Sequence, residues 1–401
     1  MTTTPNPPQN IILDGQILSQ LRADVEDVFA VASIETPRAM PQGTIYFVGD
    51  LLMANSEAAY DLIAERWRRH DYTPMFRRHG SQVLLQAHPG TIVPKASNPW
   101  INLVLAVATI ASVWFTGASY ECQCVPSSLG HWLSGLPMML SMMLILAAHE
   151  FGHYFAARSH KVHVTLPYFI PLPLVSPVGT LGAFIQLRSP FKTKKQLFDI
   201  GVAGPIGGLI FAVPLLLWGI ANSPVHELSR GAASTSVLEG NSFFYLGVKY
   251  LLHGQLLPSF DAYANLPPLH EFFLLLAGAI PPGGGSDILI NSVAFAAWFG
   301  LFVTAMNLLP VGQLDGGHII YSLIGVRARW LGIALIAVMA LAGFWWSGWW
   351  VWALLVFFVI GPNHPPPLND LVPLSPGRKL LAYAMIITFI LLFMPNPLQP
   401  L

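Results

Sequence analysis

Leu136 to Ala148 is an apolar run, broken in character only by Pro137 and Ser141, that leads straight into His149-Glu150-Phe151-Gly152-His153. Taken with its flanks as 134–158, it has the length of a bilayer-spanning helix, since about 20 mainly apolar residues cover the hydrocarbon core. An ionisable cluster inside such a helix is costly unless it is paired or coordinates something. On a helix, His149 and His153 stand one turn apart on one face, the i,i+4 arrangement that offers two imidazoles to one zinc ion. Glu150 lies beside them, placed to act as a general base toward a metal-acidified water. The opposing reading is a hydrogen-bonded polar cluster that stabilises helix contacts.

The rest of the chain shares this apolar character. Of 401 residues, 54% are hydrophobic and 10% charged, where soluble domains carry about 25% charged residues. The expected fold class is a polytopic α-helical membrane protein of about six to eight membrane segments plus a small N-terminal α/β domain. Candidate spans are 100–118, 134–158, 198–221, 288–309, 330–346, 349–361 and 379–395, with 270–280 interfacial or re-entrant. The cluster of Trp345, Trp346, Trp349, Trp350 and Trp352 marks a membrane–water interface. A net charge of zero gives no reason to expect a nucleic-acid partner. Met1–Asn10 has neither the basic and apolar regions of a secretory signal nor an Arg-rich transit character. Cys122 and Cys124 are expected as free thiols, because an i,i+2 disulfide is strained.

Residues 1–97 hold much of the charge and read as a soluble α/β domain of ferredoxin-like size. Leu18, Leu21, Val25 and Val28 give Gln16–Val31 helical periodicity, and Glu57–His70 reads as an amphipathic helix. Strands are expected at Gly43–Gly49, Tyr72–Arg77 and Gln82–Ala87, the last two turning at His79-Gly80. Pro94–Pro99 is a linker, and 98–401 is the membrane domain. Arg158, Lys161, Arg188, Lys192, Lys194 and Lys195 crowd the loop after the second span, whereas 222–287 has only Arg230 and Lys249. By the positive-inside rule the N-terminal domain is cytoplasmic, and His153 lies within about 7 Å of helix rise of the cytoplasmic marker Arg158.

A catalytic zinc needs a third protein ligand and an open position. Asn307-Leu-Leu-Pro-Val-Gly-Gln-Leu-Asp-Gly-Gly-His318 supplies the candidate Asp315, the sole carboxylate between Asp287 and Asp370. Pro310 breaks the preceding span, and irregular backbone at that depth is tolerated only where it is buried or lines a wet cavity. Gly316 and Gly317 allow close backbone approach. Asp315 also reads as an N-cap of the following helix, a role compatible with ligation.

These two motifs together closely resemble those of the site-2 protease family of intramembrane zinc metalloproteases, over roughly residues 98–395. The likeness includes Gly179-Thr-Leu-Gly-Ala-Phe-Ile185, similar to the family's membrane-dipping β-hairpin. It also includes Asp199-Ile-Gly-Val-Ala-Gly-Pro-Ile-Gly-Gly208, similar to its small-residue helix beside the site. The resemblance implies Zn2+ held by His149, His153 and Asp315, with Glu150 activating water. Asn307 takes the family's Asn position, to hydrogen-bond the substrate backbone or developing oxyanion, or else to bond between helices. His318 reads as a group near the substrate or supporting the ligands, or as a satisfied helix histidine. His163 reads as structural and His364 as a cytoplasmic loop residue.

The segment 222–287 is too short for the PDZ insertion of many bacterial members. That makes the chain similar to the plastid-type branch and its prokaryotic relatives. A bacterial cytoplasmic membrane is the expected location, with a plastid membrane as the alternative. The expected activity is cleavage of a membrane-spanning protein substrate within the lipid bilayer. Thr180–Gln186 offers a strand edge to the unwound substrate, or else is a buried structural hairpin. A competing reading is a transporter that moves zinc or protons through the same polar residues. It predicts internal repeats with matching broken helices, and neither motif recurs.

Overall fold

A computed structural model of the chain describes residues 15–37, 43–93, 97–228, 237–281 and 284–400. The expectations for Met1–Asn10, for Arg230 and for the start of the 94–99 linker lie outside the described residues. Two compact units emerge. One comprises Met1–Lys95, Arg188–Leu197 and Pro365–Ser375, and the other Ala96–Leu187, Phe198–His364 and Pro376–Leu401.

In the first unit the described order is α1 (Gly15–Ala23), β1 (Phe29–Glu35), β2 (Ile45–Leu51), α2 (Ser56–Trp67), β3 (Tyr72–His79) and β4 (Gln82–Pro89). The strands form an antiparallel sheet in the order β1-β2-β4-β3. Asn55 starts α2 by accepting hydrogen bonds from the Glu57 and Ala58 amides, satisfying donors that a helix start leaves open. Buried Leu21, Phe29, Phe47, Ile63, Trp67 and Phe76 make one core, and Trp67 Nε1 donates to the Leu21 carbonyl at 3.1 Å. The helix expected over Gln16–Val31 stops at Ala23. Pairing of Phe29–Glu35 with β2 overrides the helical periodicity of that stretch. The two later segments complete this unit: Arg77 donates to the Pro367 carbonyl at 2.7 Å and Asn369 to that of Ser56 at 2.9 Å, while the Leu368 and Asn369 amides donate to the Phe191 and Lys192 carbonyls at 2.9 and 2.7 Å.

The second unit is mostly helical: α3 (Pro99–Cys122), α4 (Leu129–Ser134), α5 (Leu136–Ser159), β5 (Tyr168–Pro171), β6 (Thr180–Phe184) and α6 (Lys194–Ala221). There follow β7 (Val225–Glu227), β8 (Val237–Glu239), α7 (Phe243–His253), β9 (Ser259–Phe260), α8 (Pro268–Ala277) and β10 (Gly285–Ile288). The last elements are α9 (Ser292–Asn307), α10 (Asp315–Ile324), α11 (Ala328–Ala342), α12 (Gly348–Leu355), α13 (Pro376–Leu392) and β11 (Leu398–Pro400). Among the described residues four helical stretches are long and apolar enough to cross a membrane: Pro99–Cys122, Leu129–Ser159, Lys194–Ala221 and Asp315–Ala342. Their outer faces expose large apolar side chains such as Val104, Ile210, Leu331 and Leu341, which suits lipid rather than water.

Packing inside this unit follows residue size. Met142, Ile145, Leu146, Leu216, Trp298 and Leu301 share one buried cluster. At one end of the bundle, Asp199 of α6 accepts from Arg378 Nε at 2.7 Å and pairs with His160 Nε2 at 2.9 Å. That clamp ties the end of α5 to the starts of α6 and α13. Between α6 and α9, the short strands β7, β10 and β9 form one sheet in that order, and β8 pairs with the C-terminal β11. Lys249 is fully buried there between Asp287 and Glu239, at 3.1 and 3.2 Å. It is not the exposed loop charge that a count along the chain suggests. Cys122 and Cys124 are joined as a disulfide, which corrects the expectation of two free thiols. Gln123 between them adopts a left-handed φ of 48° and turns the chain back on itself.

Candidate metal centre

Helix α5 turns His149, Glu150 and His153 inward, leaving each 4–6% exposed. The two imidazoles meet with Nε2 atoms 3.2 Å apart. Asp315 arrives from the far end of the sequence. After α9 ends, Pro310 and the left-handed Gly312 (φ +53°) redirect the chain, and α10 starts at Asp315 itself. A Cβ at Gly316 would collide with the Leu308 carbonyl oxygen, so only glycine lets α10 fold this tightly against the turn. The helix cap is Leu314, with no side-chain cap bond. This corrects the N-cap reading of Asp315, whose carboxylate turns instead to the histidines.

The Asp315 oxygens lie 3.2 Å from His149 Nε2 and 3.3 Å from His153 Nε2. The 3.2 Å contact to His149 is made by Oδ2 and the 3.3 Å contact to His153 by Oδ1; with the 3.2 Å between the imidazoles, the three residues form a triangle whose ligand atoms all lie within 4.8 Å of one another. Ligands about 2.0–2.2 Å from a tetrahedral zinc stand about 3.3–3.5 Å apart, so the triangle has the right size. The protonation pattern agrees. His153 Nδ1 lies 2.7 Å from the Ile200 carbonyl oxygen, to which it must donate a proton. In neutral His153 the Nε2 lone pair then faces a carboxylate and another imidazole, an arrangement that a single cation between them relieves.

The surroundings hold this set in place. A Cβ at Gly204 of α6 would fall on the His153 ring, and one at Gly207 on the Ala148 carbonyl oxygen. The small-residue stretch 199–208 is thus the face that lets α6 reach α5. Asn307, at the end of α9, has its amide nitrogen 3.3 Å from His149 Nε2. The Ile185 backbone amide, just beyond β6, faces the Glu150 carboxylate. β6 pairs with β5 as an antiparallel hairpin, with Leu181 and Phe184 exposed.

His318 lies outside the triangle, its Nδ1 2.7 Å from His364 Nε2. His364, a loop residue as expected, also stacks on Tyr321, with ring centroids 4.7 Å apart. His163 is exposed. Sequence reasoning missed Ile185, Ile200 and His364. The first two act through backbone groups that carry no residue-type signal, and His364 lies in a proline-rich stretch that reads as loop.

Residues 137–344 match the family model described as Peptidase family M50. The chain is 28% identical over 265 residues to the rice (Oryza sativa subsp. japonica) protein named probable zinc metalloprotease EGY1, chloroplastic, covering 65% of this chain and 41% of that protein. It is 27% identical over 265 residues to probable zinc metalloprotease EGY2, chloroplastic, of Arabidopsis thaliana, covering 66% of this chain and 42% of that one. Against probable zinc metalloprotease EGY3, chloroplastic, of Oryza sativa subsp. indica it is 25% identical over 311 residues, 76% of this chain and half of the relative. The matched part therefore spans less than two thirds of those relatives' length. Since the family match takes in more than half of the 401 residues, the chain belongs to peptidase family M50, the site-2 protease family that its two motifs resemble.

Proposed function

We propose that the chain is an intramembrane zinc metalloprotease that cleaves membrane-spanning proteins. The observation that carries this reading is the convergence of His149, His153 and Asp315, with closest contacts of 3.2–3.3 Å between each pair and Glu150 beside them. His149, His153 and Asp315 are its zinc ligands. Zinc, when bound, supplies a Lewis acid that brings the pKa of water toward about 7. Glu150 accepts the proton that water gives up and later delivers it to the leaving amine. The Ile185 amide orients the Glu150 carboxylate for that transfer, and the Ile200 carbonyl fixes the His153 tautomer. Asn307, beside His149, hydrogen-bonds the substrate backbone or the developing oxyanion. His318 supports the site from its neighbouring position on α10 without ligating.

A helical substrate must be unwound before its amides can be attacked, because its own hydrogen bonds shield them. The outer edge of β6 pairs with the extended chain, as in β-augmentation, and Leu181 and Phe184 contact its side chains. The hairpin dips into the membrane, and six to eight segments enter or cross it. Residues 1–97 form a cytoplasmic domain preceding a membrane domain, 98–401, and the active site lies toward the cytoplasm. The location is a bacterial cytoplasmic membrane, with a plastid membrane as the alternative suggested by the relatives' names.

The test is full-length protein in liposomes with a single-span model substrate. Cleavage should be abolished by a zinc chelator and restored by added Zn2+. Cleavage indifferent to chelation would contradict the proposal.

A further inference from the structure

A second group of metal-binding side chains lies at the opposite end of α5 from the candidate centre. The ligand atoms of Cys122, Cys124 and His131 all fall within 4.8 Å of one another. Leu136, at that end of α5, is separated from His149 by about 20 Å of helix rise. The two groups therefore share no residue.

The scaffold of this second group is built rather than incidental. α3 ends at Cys122, and the left-handed Gln123 reverses the chain so that Cys124 returns over it. The Gln123 side chain fixes that reversal by donating to the Tyr120 carbonyl at 2.6 Å. Ser128 caps α4 by accepting from the His131 amide at 3.2 Å, which sets His131 on the first turn. Trp114 Nε1 donates to the Trp132 carbonyl at 2.6 Å, and the two indoles meet edge to face, pinning α4 to α3.

The donor geometry is that of a metal ligand pair. His131 Nδ1 lies 3.6 Å from Cys124 Sγ and 3.4 Å from the Ser127 amide nitrogen. The amide donor shows that Nδ1 is the unprotonated ring nitrogen, and a bound metal would take its lone pair in place of the Ser127 N–H. A thiolate at about 2.3 Å and an imidazole at about 2.0–2.1 Å from a tetrahedral zinc stand about 3.6 Å apart. Two thiolates and one imidazole form a donor set suited to zinc, and the three leave a fourth position open to solvent.

We propose that Cys122, Cys124 and His131 form a second, redox-gated Zn2+ site, closed by the Cys122–Cys124 disulfide and opened by its reduction. A dithiol reductant gives two electrons and two protons to the disulfide. The Cys122–Cys124 bond breaks into two thiols while the reductant becomes a disulfide. Zn2+ then displaces both thiol protons and forms two Zn–S bonds and one Zn–N bond with His131 Nδ1. The oxidised state links Cys122 only to its neighbour Cys124. The metal-bound state ties the end of α3 to α4, the short helix that leads into the helix carrying His149.

Co2+ titration of the full-length protein in detergent tests this, before and after reduction by a phosphine and its removal. The candidate centre on α5 and α10 has no thiolate, so a sulfur-to-cobalt charge-transfer band reports the second site alone, whatever becomes of the protease reading. The reduced protein should release two thiols per chain to a thiol reagent. It should develop the band to saturation at one cobalt per chain and lose it when Zn2+ is added. The oxidised protein and Cys122→Ser should show no band, and His131→Ala should weaken cobalt binding at least tenfold. Two free thiols without a band, a disulfide that resists reduction in the folded protein, or a band unaltered in His131→Ala would each overturn the proposal. Far-UV circular dichroism matching the wild type qualifies each variant, and the wild-type comparison of oxidised with reduced protein decides the matter without any variant.

Discussion

Gly204 lies so close to His153 that a Cβ on the glycine would occupy the imidazole. The second histidine of the proposed zinc site is thus held between the Ile200 carbonyl, which takes its Nδ1 proton, and a helix face with no side chain. Gly204→Ala must push the ring or the helix aside. Overpacking of this kind costs about 1–3 kcal/mol, and zinc affinity should fall about 10–100-fold, as when a supporting contact is lost. Zinc retention in a chelator-buffered series checks this. Wild-type retention by a folded Gly204→Ala would show that α6 does not set the ring.

Asp315→Asn keeps the shape of the side chain and removes its negative charge. The affinity loss should exceed the roughly 10–100-fold of a supporting contact, because a ligand itself is weakened. Metal content of the purified variant decides the point. Full occupancy at wild-type affinity would remove Asp315 from the ligand set.

The Ile185 amide that faces Glu150 can be removed without touching the carboxylate. Ile185→Pro deletes the N–H, whereas Ile185→Ala keeps it. The proline variant should lose about 10-fold or more in kcat, since positioned proton transfer is worth about 10²–10⁴-fold. Zinc content should remain unchanged, and the alanine variant should stay near wild type in kcat. Equal losses in the two variants would point to the Ile185 side chain rather than its amide.

Lys249 holds two buried carboxylates. Burial raises Asp287 to about 6, outweighing the ammonium that lowers it. A folded pKa above the unfolded value of 3.8 means that this group favours folding most below pH 3.8. That contribution is lost as pH rises through about 6. Lys249→Met removes the lowering influence and pushes the folded pKa higher still. Its deficit should reach about 3–5 kcal/mol near pH 8 and shrink toward pH 5. Denaturant unfolding of the folded protein at both pH values measures it, and a deficit independent of pH would contradict the assignment.

How legible each part was depends on whether its signal is local. His149 and His153 are one helical turn apart, so their convergence follows from spacing alone. Asp315 was legible because Pro310 and the Gly316–Gly317 pair mark a break where a carboxylate is costly. The apolar runs likewise foretold α3, α5, α6, α9, α11, α12 and α13, but not α4 or α7. What escaped depends on partners distant in sequence. Phe29–Glu35 became a strand because β2 lies beside it, Pro365–Ser375 joins the first unit through bonds to Arg77 and Ser56, and Arg188–Leu197 bonds in turn to Leu368 and Asn369. Lys249 looked like an isolated loop charge because Glu239 and Asp287 reach it only in the fold. The Cys122–Cys124 pairing depended on the left-handed turn at Gln123, which no residue type announces.

The most direct measurement is cleavage of a reconstituted single-span substrate by Glu150→Gln, with zinc content determined on the same preparation. The amide keeps the size of the side chain and cannot take a proton. Zinc should remain at the wild-type level while cleavage falls by about 10²-fold or more, as expected for a lost general base. Undiminished cleavage by Glu150→Gln with its zinc in place would contradict the central claim.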